Sequence, residues 1–207
     1  MYELLACSSA ITFMASSIYY VYLVWVRVIV PVMATWILMG LMMGLSFWIY
    51  WNSPDKSWSG NVGITGGIFN VGVILVGIIA FNVKNRQSII ALSGIQLFCI
   101  LLGVLVAILW LLTEKGLLSY GLVQLIALIA YVATAARLWR ATKSTEPISF
   151  WAMILLGNFF AIYPGWVKFQ TKGELFGFIY LARAIPCTIL IIYLIWRIRG
   201  RTERMIS

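Results

Sequence analysis

The chain alternates between long apolar runs and short polar breaks. The runs cover about residues 4–26, 31–51, 61–82, 88–113, 117–139, 148–167 and 174–196. Each supplies the roughly 20 apolar residues that a helix needs to cross a hydrocarbon layer about 30 Å thick. Backbone amides in lipid must be bonded within their own segment, and period-two alternation over barrel-length segments is not seen, so the pattern predicts seven transmembrane helices. The breaks differ in chemistry. "NSPDKSWSGN" (52–61) is rich in turn residues, "VKNRQS" (83–88) is basic and "TEKG" (113–116) is short and balanced, while "RATKSTEP" (140–147) sets Ser144 and Thr145 ahead of Pro147 as helix-start signals. The faintest boundary is the first, where only Arg27 and Pro31 interrupt an apolar stretch from Leu4 to Trp51. That stretch is too long for one crossing and must turn there.

Composition agrees with the pattern: 63% of residues are hydrophobic and 10% charged, more apolar surface than a water-soluble chain of this length could cover. The lipid bilayer is the expected partner, and an oligomer of the chain is compatible with it. Charge then orients the spans. Arg27, Lys84, Arg86, Arg137, Arg140, Lys143, Arg197, Arg199, Arg201 and Arg204 fall on one face, and Lys56, Lys115, Lys168 and Lys172 on the other. Ten against four predicts an N-terminus outside and a C-terminus in the cytoplasm. The net charge of +9 is explained by this asymmetry, and no nucleic-acid partner is expected, because the cations sit at the ends of apolar runs. With Glu3 and no basic lead-in, a cleaved signal peptide is not expected.

Part of the chain is written twice. "PVMATWILMGLMMGLSFWIYW" (31–51) and "PISFWAMILLGNFFAIYPGW" (147–166) each open on a proline, reach a Trp within five residues and carry a second Trp fifteen residues beyond, at Trp36/Trp51 and Trp151/Trp166. Trp25 in "YLVWVR" has its counterpart in Trp139 of "ARLWRA". Trp25, Trp51, Trp139 and Trp166 are also placed as interfacial anchors would be, but Trp36 and Trp151 are less well explained that way. Helices 1–3 would then correspond to helices 5–7, with helix 4 as the spare crossing that restores direction. The expected organisation is a first three-helix repeat over 1–82, a linker helix over 83–116, and a second repeat with a basic tail over 117–207. Two parallel triplets facing each other would enclose a cavity at the membrane midplane.

This 3+1+3 plan resembles the SWEET sugar transporters and the wider PQ-loop and Pnu vitamin-transporter group. The Pro-Gln dipeptide itself is absent, since Pro31 is followed by Val32 and Pro147 by Ile148. The second half, "EPISFWAMILLGNFFAIYPGW" and "GELFGFIYLAR", is similar to the membrane domain of the lipid-A-disaccharide synthase N-terminal type. It keeps that pattern at Pro147, Phe150, Trp151, Leu156, Gly157, Tyr163, Gly173, Leu175, Gly177, Ile179, Tyr180 and Arg183, and departs from it at Glu174 and Ala184, where the pattern has Gln and Asn. The resemblance implies a SWEET-like membrane fold, and the compartment expected with it is a bacterial inner membrane.

Chemistry-bearing residues inside the runs are few. Arg183 is the one charge deep within a crossing, about nine residues or roughly 14 Å from the end of helix 7. A guanidinium at that depth costs about 2.5–3.5 kcal/mol on insertion scales, so it should face the interior. Two roles fit: capture of a phosphate or carboxylate, or hydrogen bonding to backbone carbonyls opened near Pro186. Asn158 shares a helix-6 face with Trp151 and Trp166 at 100° per residue. It suits either a solute or an interhelical bond to Asn70, Ser93 or Tyr163 worth about 0.6 kcal/mol. Asn70 resembles in position the helix-3 Asn of SWEETs; on its face Gly63, Gly66, Gly67 and Gly77, like Gly40 and Gly44 on helix 2, are expected to let backbones approach closely.

The candidate substrate-binding residues are therefore Trp36, Asn70, Trp151, Asn158, Tyr180 and Arg183. Pro31, Pro147, Pro164 and Pro186, placed at or near helix ends, are candidate hinges, with helix starts and static kinks as the alternative. No cofactor or metal is expected: there is no His, and Cys7, Cys99 and Cys187 are scattered through apolar runs as small buried hydrophobes. An enzyme is not expected either, because no crossing holds a carboxylate away from its ends and Glu114, Glu146 and Glu174, in or at the edge of the breaks, have no recognisable pairing. What remains is a facilitator for a small polar solute, sugar- or vitamin-like, or a lipid-binding accessory of a glycosyltransferase or glycolipid pathway in which Arg183 holds the phosphate of an anionic lipid.

Overall fold

The computed structural model describes residues 1–31, 33–52, 56–59, 61–85, 94–113, 116–141 and 146–204. The predicted helix-start residues Ser144 and Thr145, together with Arg86, Ser93, Glu114, Lys115 and Lys143, lie outside them. The described residues form seven helices: α1 (Tyr2–Trp25), α2 (Met33–Trp51), α3 (Val62–Lys84), α4 (Gly94–Thr113), α5 (Gly116–Arg140), α6 (Ile148–Lys172) and α7 (Phe176–Arg204). Five of them, α1, α3, α5, α6 and α7, are long and apolar enough to cross a membrane. The other two carry shorter apolar stretches, Thr35–Trp51 in α2 and Leu97–Leu109 in α4.

The molecule exposes large apolar side chains on its outside and buries polar ones within an otherwise hydrophobic core, consistent with an integral membrane protein. On α1 the outward residues Leu4, Ile11, Ile18 and Trp25 recur every seventh position, while Ser9, Ser16 and Ser17 are fully buried. Exposed apolar surface on this scale is stable against lipid rather than water. The buried hydroxyls find acceptors, as when Ser9 Oγ donates to the Gly157 carbonyl at 2.8 Å.

Local chemistry explains the helix ends. The chain leaves α1 through Arg27, which is left-handed at φ 60°. The Arg27 amide donates to the Val24 carbonyl and the Val28 amide to the Leu23 carbonyl, both at 3.0 Å. This pair of bonds is the Schellman arrangement that closes a helix C-terminus, usually around a glycine. Asn61 caps α3 by accepting from the Ile64 amide, and Gly173 at φ 68° ends α6. Two candidate hinges change place. Pro164 and Pro186 are not at helix ends but inside α6 and α7, where each removes a backbone donor from the helix. Pro147 is the residue before α6, and Pro31 precedes α2.

Helix α3 packs against both α1 and α2, whose backbones stay apart and which touch through side chains such as Tyr20 and Trp36. Likewise α7 packs against α5 and α6, whose backbones stay apart and which touch through Tyr131 and Trp151. Further packing joins α1 to α6 and α2 to α5, and α4 lies on α5 and α2. Glycines permit the close approaches. A Cβ on Gly63 would stand 2.5 Å from the Tyr180 ring, and one on Gly77 would overlap Val21. Gly44 departs from the expectation: a Cβ there would meet nothing within 4 Å. Cys7 is exposed instead of buried.

Candidate functional site: a cavity among six helices

A cavity lies between the helices, distinct from a smaller one that Asn61, Gly63, Gly165 and Gly177 help to line. Its volume is ≈ 50 Å³ as swept by the centres of water molecules, space for several waters at about 10–15 Å³ each. Phe13 of α1, Thr35, Trp36, Met39, Met42 and Met43 of α2, Gly67, Asn70 and Val71 of α3, Tyr131 of α5, Phe150, Trp151 and Ile154 of α6, and Tyr180 and Arg183 of α7 line it. Among the described residues, α4 is the only helix that contributes nothing. Five of the six residues singled out in the sequence, Trp36, Asn70, Trp151, Tyr180 and Arg183, therefore converge on one space.

Arg183 is half-buried in the cavity wall. Its Nε and Nη2 both donate to Gln124 Oε1 of α5, at 3.2 and 3.1 Å. Gln124 is itself buried and passes a long bond from Nε2 to Ser46 Oγ of α2, 3.4 Å away. The guanidinium carbon lies 5.0 Å from the Tyr180 ring centroid and 5.8 Å from that of Tyr131. Aromatic faces attract a desolvated cation by about 0.5–2 kcal/mol each. The carbonyls freed near Pro186 are not what Arg183 bonds, which corrects that expectation.

The two asparagines behave differently. Asn70 Nδ2 donates to the Phe13 carbonyl at 2.7 Å and to Ser16 Oγ at 2.9 Å, tying α3 to α1 beside the cavity. Asn158 does not line the cavity. It is 0% exposed, its Nδ2 turns back to the Ile154 carbonyl one helical turn earlier at 2.9 Å, and its Oδ1 has no described partner. It also makes no described bond to Asn70 or Tyr163. Nor does the shared face with Trp166 survive: Trp166 is 48% exposed while Trp151 is buried. Asn158 and Trp166 are separated by 80° on an ideal helix, enough to carry the second indole past the edge of the packed stripe.

Beside the cavity, behind Trp36 and Phe150, aromatic rings form a cluster. Tyr20 packs on Trp36 and Phe150 with ring centroids 4.9 and 4.6 Å apart. The Trp36 Nε1–H donates to Tyr20 Oη at 3.1 Å, and Tyr20 Oη makes long bonds of 3.4 and 3.5 Å to the two oxygens of Glu146. Glu146, expected in a polar break with no pairing, is 4% exposed and packed behind this cluster. Burial pushes its carboxyl up to about 7, against the opposing pull of the Arg137 charge and of the Trp151 and Tyr20 donors. The Trp151 indole exerts its pull without completing a hydrogen bond, and its Nε1–H is buried without a described partner.

Comparison with family models, with characterised proteins and with solved structures finds no match. The chemistry of the site is thus carried by its own geometry. Three of its parts were missed in the sequence. Gln124 is a lone amide in "LVQLIALIA", the same signal that marked Asn70 and Asn158, and Tyr131 follows it by seven residues on the same face. Thr35 next to Trp36 pairs with Thr134 of α5, both buried. Among the described residues there is no cluster of His, Cys, Asp or Glu that could hold a metal ion.

Proposed function

We propose that the chain is a SWEET-like facilitator that moves a small polar solute through the central cavity. In this reading seven helices cross the bilayer as two like-oriented triplets, α1–α3 and α5–α7, with α4 as the linker. The pattern of neighbours supports it. Exchanging α1 for α5, α2 for α6 and α3 for α7 turns the pair α1/α3 into α5/α7, α2/α3 into α6/α7, and α1/α6 into α5/α2, all of which pack together. The face that carries α1's end at Arg27 and α7's end at Arg197 holds most of the cations, which favours that face as the cytoplasmic one.

The single observation that carries the proposal is the cavity. Side chains from all six helices of the two triplets meet there, and a space walled by both triplets is where alternating access would hold a solute. The alternative, a lipid-binding accessory that uses Arg183 for a headgroup, is favoured less, because Arg183 lines the interior space. Counterflow in proteoliposomes with a panel of labelled neutral and charged solutes tests the proposal. Saturable exchange of at least one solute, reduced by Trp36→Ala and Trp151→Ala in protein that still purifies as a monodisperse species, is the expected result. No exchange of any solute overturns it.

A further inference from the structure

The facilitator reading leaves the class of solute open, and the polar groups in the cavity narrow it. We infer that Arg183 forms an anion subsite and that the solute is a small organic anion, a carboxylate or phosphate on a flat apolar body; this inference rests on the reading that the cavity receives a solute.

The polar groups of the wall fall into two classes. Most are already committed to the protein: the Asn70 amide N–H groups to α1, the Thr35 hydroxyl to Thr134, and the Tyr131 hydroxyl to Thr188 at 3.2 Å. A polyhydroxylated neutral solute would need several donors and acceptors on opposite walls, and those without a described partner are few: the Trp151 Nε1–H and Asn70 Oδ1 besides the groups around Arg183. Arg183 is the one charged group among them. A guanidinium has five N–H donors in a planar fork, and the described bonds use two of them, both on the single oxygen of Gln124. Tyr180 beside it makes no described hydrogen bond through its hydroxyl, so it offers a further donor on the same helix.

The charge is also uncompensated. Of the described carboxylates near the helix ends, Glu174 pairs with Lys168 at 3.3 Å and Glu146 meets Tyr20, and no described ion pair reaches Arg183. Its neighbours are a neutral amide and two aromatic faces, which orient the cation without neutralising it. A carboxylate or phosphate could accept from the remaining edge of the fork. Across the cavity, Trp36, Phe150 and Trp151 supply flat apolar walls, and Met39, Met42 and Met43 are unbranched side chains able to swing aside. The cavity has room for only a few waters, so entry of a ring-sized solute requires that movement.

Calorimetric titration of the full chain in phosphatidylcholine nanodiscs tests the assignment, with benzoate and phenyl phosphate as anionic probes and benzamide and glucose as neutral ones. Hydrogen bonds to a charged group predict that at least one anion binds about tenfold or more tighter than benzamide. Arg183→Gln should remove that preference and Arg183→Lys should keep part of it. Binding of benzamide or glucose as tight as the better anion, or no binding of either anion, overturns the inference, and the wild-type comparison decides this even if the variants do not fold. Repeating the titration in phosphatidylglycerol nanodiscs separates the sources of the anion. Unchanged binding supports a free solute, whereas loss of binding there assigns the subsite to a lipid phosphate and overturns the solute. Anion binding without flux in liposomes would sink the facilitator reading alone; flux without preference for anions would sink this inference alone.

Discussion

Arg183 and Gln124 face each other across α7 and α5, with both guanidinium bonds converging on one amide oxygen. The amide is a neutral acceptor that holds the fork in place while leaving the cation charged. Gln124→Leu removes that acceptor and also the donor to Ser46, and should destabilise the protein by about 1–3 kcal/mol, the cost of an abandoned buried hydrogen-bonding group. Gln124→Glu places a carboxylate where the amide oxygen was, and should hold stability close to wild type while abolishing the anion preference. Thermal unfolding followed by intrinsic fluorescence, set beside benzoate titration, separates the two effects. A Gln124→Glu protein that still prefers benzoate would contradict this view of Arg183.

The Gly63–Tyr180 contact fixes how closely α3 approaches α7. A methyl at Gly63 would stand 2.5 Å from Tyr180 Cε1 and 2.6 Å from Cδ1, so the ring, which lines the cavity and stacks near Arg183, has to move. Gly63→Ala should cost about 1–3 kcal/mol as an overpacking substitution. Gly44→Ala meets open space and should stabilise α2 by up to about 1 kcal/mol through helix propensity. Denaturation of the two variants in the same detergent provides the comparison, and equal shifts would mean that the α3–α7 approach is not tight.

Glu146 should make stability pH-dependent. Its carboxyl is raised from 4.5 to about 7 in the folded protein by burial. Between those values the unfolded chain releases the proton and the folded chain keeps it, so the unfolded state binds fewer protons and stability falls as pH rises. The loss sets in above about 4.5, is complete above about 7 and is of order 3 kcal/mol. The neighbours that face this carboxyl are Tyr20 from α1, Arg137 from α5 and Trp151 from α6. Glu146→Gln should flatten the profile between pH 5 and 8. Melting curves with the same pH dependence in both proteins would exclude Glu146 as its source.

Apolar run length was enough to place the helices, because a bilayer-length run leaves few alternatives. Even the faint boundary at Arg27 turned out to be a defined turn, although a left-handed arginine closing a Schellman motif has no signature in the residue type. Side-chain direction was harder to read. Trp36, Asn70, Trp151, Tyr180 and Arg183 stood out as polar or aromatic residues in apolar runs, and they do meet. Asn158 stood out on the same grounds but satisfies its donor on its own helix, a choice that depends on rotamer and local packing rather than on spacing. Glu146 looked like a loop carboxylate, since nothing local in the sequence shows that α1 folds Tyr20 over it.

Pro164 and Pro186 interrupt the two helices that carry Trp151 and Arg183. Each proline lacks the N–H that would bond the carbonyl four residues earlier, those of Phe160 and Ala182. A helix with a missing bond bends there at less cost than an intact one, so these positions can let one end of α6 or α7 move while the other stays packed. The two Pro→Ala variants restore the donor and should raise or preserve thermal stability. If the prolines serve as hinges, the same variants should slow solute exchange severalfold with little change in the affinity for benzoate, because the binding residues are untouched. If they are static kinks, exchange and affinity should shift together as the helix axes realign. Initial counterflow rates and calorimetric affinity, measured on one preparation of each variant, distinguish these outcomes, and exchange at the wild-type rate in both variants would rule out the hinge role.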